Sequence, residues 1–144
     1  MRRRLTAVTL AAIVLVSSGC SFFFYPHAKD FATKAKGADT VETLINLTTM
    51  MEASAKQAQA GMGYDQPLND LHNQFHAFDN TLCCVEKPKR ETPAYDLAVT
   101  HNKELWAIFK RAWKFRDEQP QRRHHLELFA SEVRETRDAL QALK

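Results

Sequence analysis

The sequence predicts an all-α fold, an antiparallel up-down-up-down four-helix bundle behind a cleaved signal peptide. Three observations carry this reading. After residue 20, Gly stands only at 37, 61 and 63 and Pro only at 26, 67, 88, 93 and 120, leaving four long stretches free of both. Within each stretch apolar residues recur every three or four positions, the period of a helix with one buried face. Capping residues stand where the stretches begin, and no strand-like alternation or internal repeat interrupts them.

The first helix is predicted from Asp39, whose carboxylate caps free backbone N–H groups while Glu42 reaches back, and it should end near Gly61. Leu44, Leu47, Met51, Ala55, Ala58 and Met62 form its apolar face. The second starts around Asp65, with Pro67 in the first turn where a missing N–H is harmless, and runs to about Cys84. Its inward stripe is Leu68, Leu71, Phe75, Phe78 and Leu82.

A loop over 85–92 precedes the third helix, with Thr92 as cap and Pro93 at the first helical position. Leu97, His101, Leu105, Ile108, Ala112 and Phe115 lie on one side of it, and Trp106, Phe109 and Trp113 on the other. So wide an apolar arc suits a central helix or one that also faces a partner. A break at Pro120 leads to the fourth helix, with Leu126, Phe129, Val133 and Leu140 inward and Glu127, Glu132, Arg134, Glu135 and Asp138 outward.

The N-terminus has a different composition. Arg2, Arg3 and Arg4 precede a run over 5–16, apolar apart from Thr6 and Thr9, that is too short for the roughly 20 residues a spanning helix needs and suited to a secretory signal core. Ser17, Ser18, Gly19 and Cys20 follow. This ending resembles the lipobox of bacterial lipoproteins, with Ser17 where Leu is usual. The resemblance implies cleavage before Cys20 and acyl chains on its sulfur. Ser21, where an Asp would favour the inner membrane in such families, implies the periplasmic face of the outer membrane.

The expected organisation is therefore a signal peptide over 1–19, an acylated spacer over 20–37 and the bundle over 38–144. The aromatics Phe22, Phe23, Phe24 and Tyr25 have two open placements, the membrane interface or the bundle surface.

Charge excludes one class of partner. The chain holds 20 Lys and Arg against 17 Asp and Glu, and removing the three signal arginines leaves 17 of each. A neutral domain gives no footing for nucleic acid. Lys87, Lys89, Arg90, Arg122 and Arg123 read as solvated loop and helix-end charge.

One constellation suggests chemistry. His72, His76, Asp79 and Cys83 are spaced by four, three and four residues, so they share a ridge of the second helix and are candidate ligands for copper, zinc or nickel. His101 reads as a hydrogen-bonded core residue, and no C-x-x-C-H motif for covalent haem is present. Cys83 and Cys84 leave open a vicinal disulfide, an intermolecular one or two thiols.

No nucleophile elbow, Gly-rich phosphate loop or zinc-protease helix occurs, so a non-enzyme without a cofactor beyond the lipid is expected. The leading expectation is a membrane-tethered adaptor that holds an envelope protein at Trp106, Phe109 and Trp113. In general form this resembles the small helical lipoproteins that accompany secretion or envelope assemblies. The alternative is a lipoprotein that binds a transition metal on the His72 ridge.

Overall fold

The structure is a computed structural model, and it describes residues 26–144. Residues 1–25 lie outside the described residues, and with them the signal peptide, Cys20 and the aromatic run. Among the described residues the chain is all-helical, without strands. The helices are α1 Pro26–Lys34, α2 Thr40–Ala58, α3 Gln66–Leu82, α4 Lys87–Arg90, α5 Pro93–Lys114 and α6 Gln119–Gln141. None is long and apolar enough to cross a membrane.

The start of α2 follows from two carboxylate side chains. Asp39 Oδ1 accepts from the Glu42 N–H at 2.8 Å, and Glu42 Oε2 accepts from the N–H of Ala38 at 2.7 Å, one residue beyond the usual capping box. Asp65 caps α3 by accepting from the Leu68 N–H at 3.0 Å, and Thr92 caps α5 by accepting from the Tyr95 N–H at 3.3 Å. Pro120 does not break α6 but sits in its first turn, where no intrahelical partner is lost.

Two segments carry more structure than the sequence suggested. The stretch read as a spacer contains α1, whose Ala28 is fully buried and whose Phe31 packs on the core. Two small residues, Ala28 and Ala35, bring this short helix close to the main body, and Asn46 Nδ2 donates to the Ala35 carbonyl at 3.0 Å. The loop over 85–92 contains α4, one turn that leaves Val85 buried beneath it.

The core is built from the stripes of α2, α3, α5 and α6. Leu44, Leu47, Met51, Leu68, Leu71, Phe78, Leu105, Leu126, Phe129, Val133 and Leu140 are fully buried. Two expected core residues are outside: Met62 is 53% exposed because α2 stops at Ala58, and Leu97 is 49% exposed. On α5 the buried line is Ala98, Asn102, Leu105, Phe109 and Ala112. That line is rotated from the expected one because small Ala98 and Ala112 let α6 approach closely, and Asn102 finds a partner in Asp79 Oδ1 at 2.8 Å.

Cross-helix bonds between α2 and α6 occur in reverse chain order. Arg122 Nε donates to the Ala58 carbonyl at 2.8 Å, Arg137 Nε donates to Thr48 Oγ1 at 3.1 Å, and Lys144 lies 3.9 Å from Glu42. Between them Glu52, 13% exposed, accepts from Lys56 at 2.7 Å, Arg137 at 2.8 Å and Arg134 at 3.3 Å. These three cations, Lys56 foremost, hold the Glu52 carboxyl at about 2, below its ordinary value of 4.5.

A carboxyl depressed on folding stabilises the protein above its unfolded pKa, and that stability is lost as pH falls. For Glu52 the window runs from about 4.5 down to about 2. Because Lys56 and Arg134 are more than half exposed, screening reduces the contribution to about 1–2 kcal/mol. Denaturant melts of Glu52→Gln against the parent should differ by that amount at pH 7 and converge near pH 2.

Candidate functional site

The seam between α3 and α5 is filled by rings. Phe75 on α3 stacks on Trp106 of α5 with centroids 4.8 Å apart and planes at 17°, and Trp106 stacks on Phe109 at 5.8 Å. One turn away His72 stacks on Phe109 at 5.5 Å and leans on Trp113 at 5.0 Å. Tyr64, from the turn before α3, meets the edge of Trp113 at 5.0 Å. Rings of this size hold the two helices apart, and His72, Trp106 and Trp113 stay partly open to solvent along the seam.

Phe109 is only 2% exposed and forms the floor, while Trp106 and Trp113 are half-buried walls. Two small clefts flank Trp106. One, of about 270 Å³, is lined by Phe75, His76, Asp79, Asn102, Lys103 and Trp106; the other, of about 200 Å³, by His72, Trp106, Phe109, Lys110 and Trp113. A wider cleft of about 470 Å³ between α1 and α3 is lined mainly by polar and charged side chains, including Asp30, Lys34, Asn69 and Asp70.

Cations rim the aromatic seam. The Arg116 guanidinium lies 4.1 Å above the Tyr64 ring, and Lys110 Nζ lies 5.8 Å from Trp106. Lys103 closes the far end. Burial pushes the His72 and His76 imidazoles below 6.5, so both are neutral at pH 7 and suited to stacking among rings.

Of the metal ridge read from the sequence, the structure brings two members together. His72 and His76 set their Nε2 atoms 3.1 Å apart. Asp79 instead turns one carboxylate oxygen to Asn102, and Cys83 Sγ donates to the Asp79 backbone carbonyl at 3.5 Å. Burial and the Asp79 charge push the Cys83 thiol up, so it stays protonated and weakly nucleophilic. Cys83 and Cys84 are both free and exposed, each bonded one turn back along the helix rather than to the other.

A different group converges on the opposite side of α5. His101 Nδ1 lies 2.5 Å from Glu132 Oε1, and His101, Glu132 and Glu135 have ligand atoms all within 4.8 Å of one another. His101 is indeed hydrogen-bonded, to a partner the sequence had assigned to solvent. The signal for the group was an i,i+3 pair of acids on α6, invisible as a site until α5 supplied the imidazole.

Comparison with protein-family models, curated proteins and solved structures finds no match for this chain.

Proposed function

We propose that the chain is a non-catalytic, lipid-anchored interaction module on the periplasmic face of the outer membrane, which grips an acidic amphipathic helix of an envelope protein. In this reading α2, α3, α5 and α6 form the up-down-up-down bundle, α1 buttresses it, and acyl chains on Cys20 tether it. The anchor rests on the lipobox resemblance alone.

The observation that carries the binding role is the half-buried ring ladder of Trp106 and Trp113 over Phe75, Phe109 and His72. Aromatic anchors on a buried floor with a polar rim are the makings of an interface hot spot. A groove between two helices suits a third helix that inserts apolar residues at i, i+3 or i+4 and i+7. Lys103, Lys110 and Arg116 at the rim select acidic residues beside those anchors.

Crosslinking in living cells tests this. A photoreactive residue at Lys110 should capture one discrete partner, the same residue at Arg123 should not, and Trp106→Ala with Trp113→Ala should abolish the product. Equal capture from both positions, or a product that survives the double substitution, would count against the seam. Each tryptophan should cost the complex about 2 kcal/mol or more, the range of aromatic anchors.

A further inference from the structure

The geometry points to a binding site for a divalent first-row transition-metal ion, built by His101 of α5 with Glu132 and Glu135 of α6. This site is separate from the aromatic seam and does not depend on it. It also differs from the His72 ridge suggested by the sequence.

The donors come in matched pairs from two packed helices. His101 and Glu104 are three apart on α5, Glu132 and Glu135 three apart on α6, and that spacing puts each pair on one face. Ligand atoms of His101, Glu132 and Glu135 already lie within 4.8 Å of one another. Glu104 Oε2 stands 4.0 Å from His101 Nδ1, beside this group of three rather than in it.

Charge balance separates this group from ordinary surface acids. Glu132 is 12% and His101 13% exposed, so neither is a solvated side chain. Burial raises the Glu132 carboxyl, and Glu104 beside it adds to the rise while His101 opposes it. The four arginines of α6 give no relief: Arg134 and Arg137 turn to Glu52, Arg122 to Asp65 and Arg123 to Glu127. Among the described residues no Lys or Arg forms an ion pair with Glu104, Glu132 or Glu135. Three carboxyl groups thus share one imidazole, and a dication would offset most of their charge.

One imidazole and carboxylates, without thiolate, suit zinc, manganese or iron(II) rather than copper(I). With metal–ligand distances of about 2.0–2.2 Å, neighbouring donors stand about 3.3 Å apart. His101 Nδ1 and Glu132 Oε1 need only part by about 0.8 Å from their present 2.5 Å.

Zinc titration of the purified full-length chain by calorimetry, with cobalt(II) absorption as a second readout, tests the site. One equivalent should bind and raise the melting temperature. Glu135→Gln, at an exposed position that should not disturb folding, should weaken binding at least tenfold, since even indirect partners of a metal are worth about 10–100-fold. His101→Ala should abolish the cobalt spectrum, while His72→Ala with His76→Ala should leave it intact. The proposal is overturned if no stoichiometric binding occurs, if binding is indifferent to Glu135→Gln, or if the His72 and His76 substitutions remove it.

Discussion

Arg122→Ala should lower the free energy of unfolding by about 3–5 kcal/mol, the cost of breaking a buried charged network by removing one partner. Arg122 is fully buried, yet each nitrogen of its guanidinium donates a hydrogen bond. Nε donates to the Ala58 carbonyl at 2.8 Å, Nη1 to the Gly63 carbonyl at 2.8 Å, and Nη2 to Asp65 Oδ2. The guanidinium therefore ties the end of α2, the 59–65 turn and the cap of α3 to the first turn of α6.

Its removal strands carbonyls as well as a carboxylate, and Asp65, 23% exposed, recovers only some water. Arg122→Lys should rescue little, because one ammonium cannot reach divergent acceptors as a fork does. The same crowding explains Gly61, where a Cβ would stand 1.5 Å from Asp65 Oδ2, and Gly63 adopts a left-handed φ of 63°. Urea melts measure the loss; a change below about 1 kcal/mol would mean that water replaces the guanidinium.

Cys20→Ser should abolish incorporation of labelled palmitate and shift the protein from the membrane pellet to the soluble fraction. A serine hydroxyl offers no thioether. On the proposed anchor each acyl methylene would contribute about 0.8 kcal/mol of membrane affinity, so losing two or more chains would remove it entirely. The apolar run over 5–16 is too short to replace it. Cys83→Ser and Cys84→Ser should retain the label, which separates lipidation from the exposed thiols. Palmitate that persists on Cys20→Ser would contradict the anchor.

The helices were legible because Gly, Pro and capping residues act locally: Asp39, Asp65 and Thr92 each accept the bond that their sequence context implies. Tertiary effects were not. Arg122, read as solvated helix-end charge, is buried because acceptors from three other segments converge on it. The face of α5 was misjudged by about one residue because Ala98 and Asn102 lack the bulk that marks a core stripe. The ring ladder was half visible: Trp106, Phe109 and Trp113 stood out on one helix, but Phe75, His72 and Tyr64 join them only through packing.

The most direct measurement of the central claim uses the chain's two tryptophans, Trp106 and Trp113, both of which lie on the proposed binding seam. A helical peptide with apolar residues at helical spacing and acidic flanks should shift their emission to shorter wavelength in a saturable way, and raised salt should weaken the effect. An emission spectrum unmoved by that peptide, or moved equally by its lysine-flanked counterpart, would contradict a seam built to hold an acidic helix.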